Sequence, residues 1–138
     1  MKVVLDTNVV ISALLHPGST RRFYELWRSR KIELLATQPI LEEYIRVLHY
    51  SKFGYEPTVI AEILDENLLP WVTKVEEYRG KLRVPPKDKN DEMFLRAALA
   101  GKAEVLVSGD IHLTSLEGQY AFPIIAPAVF LSRYFKKS

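Results

Sequence analysis

Residues 3–12 read VVLDTNVVIS, and eight of the ten are apolar or small neutral residues around a single carboxylate, Asp6. A charge in such a run is costly if it is buried without a partner. The stretch KVVLD at 2–6 is short, β-branched and almost wholly apolar, which predicts a strand buried on both faces, as in a parallel sheet. Thr7 and Asn8 offer an N-cap, and VVISALL then begins a helix. Asp6 therefore stands at the carboxyl end of a strand, the rim on which open α/β sheets bind ligands.

Outward from this stretch, apolar runs and helical periodicities alternate. After a turn at 16–20, a helix is predicted over 21–30, with Phe23, Leu26 and Trp27 inward. A strand is expected at 32–37, then a helix from Gln38 and Pro39 to about Tyr50, closed by SKFGYEP. Further helices are expected over 57–69, 90–100 and AVFLSRYF at 128–135. Further strands are expected in WVTKV at 71–75, EVLVSGD at 104–110 and FPIIAP at 122–127. This alternation argues an α/β domain built on a parallel sheet. With 138 residues, no repeat and no dividing linker, one domain over 1–138 is expected.

Composition narrows the chemistry. The absence of cysteine excludes disulfides, thiolate metal sites and cysteine nucleophiles, and suits a reducing cytoplasm. Asp6 and Asn8 interrupt the apolar N-terminal run, against a signal peptide. No stretch approaches the ~20 apolar residues of a membrane span. A net charge of +2 and a pI near 8.8 allow a nucleic-acid partner without requiring one.

Four acids lie at the edge of apolar structure. Asp6 and Asp110 each end a strand and belong on the carboxyl rim, although each could simply cap the helix that follows. In PILEEYIRVLHY, Glu42 faces away from the apolar stripe and can pair with Arg46 at i+4. Glu43 sits between Ile40 and Val47 on the stripe's edge; its plain alternative is an exposed flank position with a covering stem. Asp91 has Phe94, Leu95 and Ala98 at i+3, i+4 and i+7, so it faces inward from its helix, where it could also be a first-turn acid of a capping arrangement. Asp88 or Asn90 is the expected cap. Like charges crowded in one cleft repel, and a divalent cation removes the problem. Oxygen-only ligation with no cysteine suits Mg²⁺ or Mn²⁺ rather than Zn²⁺. Such ions serve phosphodiester hydrolysis.

The segments VVLDTNVVISALL, LEEYIRVL, KDKNDEMFLRAALAGKAEVLVSGDIHL and IIAP occur in the order and spacing of the PIN-domain ribonucleases. The chain resembles that family over essentially its whole length. It looks most like the small bacterial and archaeal members assigned as toxins of toxin–antitoxin pairs. The resemblance implies a three-layer α/β/α fold with a central parallel sheet, an acidic cleft holding Mg²⁺ or Mn²⁺, and endonucleolytic cleavage of single-stranded RNA. By position it implies Asp6, Glu43, Asp91 and Asp110 as the catalytic, metal-holding acids. It places Asn8 where the family's asparagine supports the first acid, and Ser108 where a Thr or Ser bonds in the cleft. It also implies a small antitoxin partner and a homodimer. Two departures stand out. The usual Asp-x-Asp after the glycine is Asp110-Ile111-His112, and the usual Asp-Pro-x-Asp is Asp88-Lys89-Asn90-Asp91.

An RNA substrate needs basic residues beside the acids. Lys87 and Lys89 are the first candidates, then Arg79, Lys81 and Arg83, then Arg21 and Arg22; any of them could instead belong to a solvated charged face. Arg133, Lys136 and Lys137 read as a solubilising tail. Trp27, Trp71 and Phe94 suit the core at least as well as base stacking. Two rival readings remain. A phosphotransferase with Asp6 as nucleophile lacks the second Asp that haloacid-dehalogenase-like enzymes place where Asn8 stands. The other is a catalytically weak PIN-fold module that binds RNA or protein.

Overall fold

The computed structural model describes residues 1–16, 18–50 and 54–136. Parts of the turn at 16–20 and of the SKFGYEP break, and Lys137 of the tail, lie outside the described residues. Five strands form one parallel sheet: β1 (Lys2–Leu5), β2 (Glu33–Ala36), β3 (Val72–Lys74), β4 (Val105–Val107) and β5 (Ile124–Ile125). Their order is β3-β2-β1-β4-β5. Helices α1 (Thr7–Leu15), α2 (Arg21–Arg28), α3 (Gln38–Leu48), α4 (Pro57–Ile63), α5 (Glu92–Gly101), α6 (Ile111–Thr114) and α7 (Pro127–Tyr134) complete a three-layer α/β/α fold. Among the described residues no helix is long and apolar enough to cross a membrane.

The central strands are apolar at successive positions because both faces are covered. Val3, Val4 and Leu5 of β1 and all of β4 are buried. Phe23 of α2 stacks on Phe130 of α7 at 5.5 Å between ring centroids, within the same core as Trp27 and Tyr44. Trp27 and Phe94 are core residues, and Trp71 is partly buried under the Arg28 guanidinium.

Register decides the site. Val3 pairs with Val105 and Leu5 with Val107, so β1 and β4 end level with one another. The Asp6 amide donates to the Val107 carbonyl at 3.0 Å and extends that ladder by one residue. Asp6 and Ser108 therefore emerge side by side at the carboxyl edge.

Several local expectations need correction. The helix expected over 57–69 is regular only to Ile63. It continues as a π turn at Leu64–Leu68 and a 3₁₀ turn at Leu69–Trp71. Pro70 supplies no N–H, and a wider turn lets Leu64 and Leu68 both reach the core. Helix α6 forms directly after Asp110, as the capping alternative for that residue requires. The cap of α1 is Asp6, not Thr7 or Asn8: the Val9 amide donates to Asp6 Oδ1 at 3.0 Å.

Candidate functional site

Asp6 is buried at the mouth of the β1–β4 pair. Its hydrogen-bond partners among the described residues are neutral donors. The Ser108 hydroxyl donates to Asp6 Oδ2, while Oδ1 takes the Val9 amide. Ser108, itself fully buried, also accepts the Asp110 amide at 2.9 Å. One hydroxyl thus links the backbone of one acid to the carboxylate of another. Burial raises the Asp6 pKa above its usual value; the bonds from Ser108, Val9 and Gly109 oppose this, and the Asp110 charge adds to it.

Asp110 caps α6, its Oδ1 accepting the His112 amide at 2.8 Å. The capping alternative is therefore real for both strand-end acids, yet it uses only one oxygen of each. Asp91 ends a 3₁₀ turn, Lys89–Asp91, that leads into α5, and is only 8% exposed. Asp88 caps this turn, its Oδ1 accepting the Asn90 amide at 2.9 Å. The buried Oδ2 of Asp91 has no hydrogen-bond partner. Burial, a hydrogen bond with the Asp110 carboxyl, and the charges of Asp110, Asp88 and Asp6 push the Asp91 pKa up to about 7. Asp6, Asp91 and Asp110, separated widely along the chain, thus act on one another at one rim.

Glu43 is carried by α3. Its Oε1 pairs with the Arg46 guanidinium on its own helix. The expected Glu42–Arg46 pair is absent; Glu42 accepts from Gln38 at 3.1 Å instead. One turn of helix brings i+3 and i+4 equally close, and Arg46 goes to the less exposed acid, where screening is weaker. Glu43 lines a cleft of about 400 Å³ with Pro39, Glu42, Arg46, Lys89, Asn90 and Met93. Lys89 and Asn90 directly precede Asp91 in the chain, while none of the three aspartates lines this cleft.

Asn8 is exposed, and among the described residues no hydrogen bond joins it to Asp6; Val9 and Ser108 do the supporting. Lys87 and Lys89 are exposed. Their loop is anchored: the Tyr120 hydroxyl donates to the Val84 carbonyl at 2.7 Å, and Arg96 Nη1 donates to the carbonyls of Tyr78 and Gly80 at 2.8 Å each. Arg21 and Arg22 are taken up structurally. Arg21 bonds the Ala13 and Leu14 carbonyls and lies over the Tyr24 ring, and Arg22 bonds the Phe135 carbonyl. His112 is exposed on α6.

Tyr44 is a site neighbour that the helical pattern revealed only as core. Its hydroxyl donates to the Leu5 carbonyl at 2.6 Å, one residue before Asp6. Burial, then the Asp6 charge, raise its pKa well above 10, so it remains a donor. An aromatic on an apolar stripe carries no sequence signal for the partner of its hydroxyl.

The donor set bears on a cation in two ways. Among the described residues no three Asp, Glu, His or Cys side chains are arranged, as they stand, to hold a metal ion. The expected four-carboxylate set is therefore not assembled, since Glu43 pairs with Arg46 and Asp6 is engaged by Ser108. Mg²⁺, however, keeps several waters and needs only one or two carboxylates. Asp91 with its unpartnered buried oxygen, and Asp110 within hydrogen-bonding reach of it, fit that requirement, with Asp6 adding negative charge behind them.

The comparisons agree with this architecture. The sequence profile of the PIN domain matches residues 2–112. Among solved structures, VapBC2 from Rickettsia felis bound to a DNA fragment from its promoter superposes with a TM-score of 0.65 at 20% sequence identity. The match covers 91% of this chain and 98% of that one, and at such identity it speaks for the fold. A search of curated proteins found no match.

Proposed function

This chain belongs to the PIN-domain family, and from that premise we propose that residues 1–138 form one endoribonuclease domain that cleaves single-stranded RNA with Mg²⁺ or Mn²⁺. We assign it as the toxin of a cytoplasmic toxin–antitoxin pair, acting as a homodimer with a small protein antitoxin. The observation that carries the nuclease reading is the meeting of Asp6, Asp91 and Asp110 at one rim, with Asp91 raised to about 7 for want of a counter-charge. PIN nucleases generally use divalent metals. A bound cation would supply a more acidic water and offset charge on the phosphodiester oxygens.

The chain's own residues divide the remaining work. Asp91 and Asp110 would hold the cation, and Asp6 would contribute charge from a position fixed by Ser108 and Val9. Glu43, across the cleft, is the group to take a proton from the attacking water once Arg46 turns to solvent; Arg46 is already 65% exposed. Lys87 and Lys89 draw the RNA backbone in from an anchored loop. The cleft lined by Glu43, Lys89 and Asn90, with donors, acceptors and the apolar Met93, accommodates a nucleotide of the RNA. Attack at phosphorus leaves a 5′-phosphate and a 3′-hydroxyl.

Support for a protein partner comes from the Rickettsia felis relative, which is a VapBC2 assembly on promoter DNA. One observation favours the weak binding module instead: His112 replaces a carboxylate and is exposed. Incubating purified protein with a single-stranded RNA pool, in Mn²⁺, in Mg²⁺ and in EDTA, separates the readings. Cleavage that needs metal and is lost in Asp6→Asn supports the nuclease; RNA retention without cleavage supports the module.

A further inference from the structure

Tyr44 carries a hydroxyl in a place where phenylalanine would fill the same space. It is 0% exposed, and its O–H donates to the Leu5 carbonyl at 2.6 Å across the gap from α3 to β1. Burying a phenol oxygen is unfavourable unless the bond is made, and the gain over an apolar ring is small. The position of the bond is informative. Leu5 is the residue before Asp6, and Tyr44 is the residue after Glu43. A single hydrogen bond therefore ties together the two backbone segments that carry these acids. Nothing else described between them does so: Glu43 pairs within its own helix, and Asp6 is held by β4 and α1.

We propose that Tyr44 is a positioning residue that fixes the carboxyl end of β1 against α3, setting the separation of Asp6 from Glu43 and the poise of the carboxylate rim toward a divalent cation. The inference rests on the nuclease reading for its metal-linked consequence and on geometry alone for the rest. With the bond removed, the end of β1 loses its hydrogen-bonded tie to α3 and keeps its sheet pairing and core packing. The Asp6 carboxylate then samples more positions, and its bond to the Val9 amide opens more often.

The test compares wild type, Tyr44→Phe and a 4-aminophenylalanine at position 44, whose N–H can replace the lost O–H donor. Two properties are measured: Mn²⁺ affinity by calorimetry, and amide exchange of the metal-free proteins. Outer-shell changes typically weaken metal affinity about tenfold or more. Tyr44→Phe is expected to weaken Mn²⁺ binding about tenfold at unchanged stoichiometry. It should also speed exchange at Val9 several-fold more than at Phe130, whose amide bonds the carbonyl of Ala126, the N-cap of α7. The amino variant should restore both. A merely structural role would lower the fraction of binding-competent protein and leave affinity and the Val9-to-Phe130 ratio alone; that result overturns the proposal. If wild-type protein binds no Mn²⁺, the nuclease reading fails, and the exchange ratio still decides the role of Tyr44.

Discussion

Replacing Asp91 by asparagine should make the metal-free protein more stable at alkaline pH. Asp91 titrates at about 7 in the folded chain instead of at 3.8. Between those values the folded state holds a proton that the unfolded state has lost, so stability falls as pH rises across the window. The gap of roughly 3 units corresponds to a ceiling of about 4 kcal/mol, of which about 2–3 kcal/mol is lost between pH 5 and pH 8. For a chain of this size that is a fall in Tm of roughly 5–10 °C. Asparagine keeps the shape without the charge. The assay is thermal unfolding of wild type and Asp91→Asn from pH 4.5 to pH 8.5 in EDTA, read as the difference between the two curves. Titrations remote from Asp91 are common to both proteins and cancel; Asp110 and Asp6 interact with Asp91, so the difference reports the cluster as a unit. The difference should swing toward the variant through pH 5–7 and flatten above it. Added Mn²⁺ at pH 8 should then stabilise wild type and leave the variant nearly unmoved. Parallel pH curves for the two proteins would refute the claim that Asp91 is crowded by Asp110, Asp88 and Asp6.

Ser108→Ala strips Asp6 Oδ2 of its donor and the Asp110 amide of its acceptor; a loss of about 1–3 kcal/mol in urea unfolding is expected, with a further rise of the Asp6 pKa. Removing Lys87 and Lys89 together should flatten the salt dependence of single-stranded RNA binding by about 1.4 in log–log slope, at about 0.7 per phosphate contact. An unchanged slope would place the RNA elsewhere. Lys102 closes α5 in the left-handed region at φ 52, so Lys102→Gly should stabilise the fold by about 0.5–1 kcal/mol in urea unfolding with cleavage unaffected.

The sheet was legible because burial on both faces writes itself as unbroken apolarity, as in VVL and VLV. Positions on the carboxyl rim were legible for Asp6 and Asp110 because strand ends dictate them. The inward face of Asp91 followed from the 3.6-residue period. What periodicity cannot supply is the choice between near-equivalent partners. Glu42 and Glu43 are both within reach of Arg46, and burial of the second decided it. Asp6, Thr7 and Asn8 can all cap a helix, and the register with β4 gave the role to Asp6. The basic pair Arg21 and Arg22 looked available for RNA until tertiary structure brought carbonyls of α1 and the C-terminal segment to them. Helix α4 gives way to a π turn because Leu64 and Leu68 must both reach the core ahead of Pro70, a demand set by packing and not by propensity.

The central claim is that Asp6, Asp91 and Asp110 serve one divalent cation at the carboxyl edge. Crystals soaked in Mn²⁺ and measured for anomalous scattering test it directly. The account predicts a peak bonded to Asp91 and Asp110, with Asp6 facing it directly or through water and Asp91 no longer bonded to Asp110. A protein that cleaves RNA in Mn²⁺ yet shows its only ordered manganese away from these three carboxylates would contradict it.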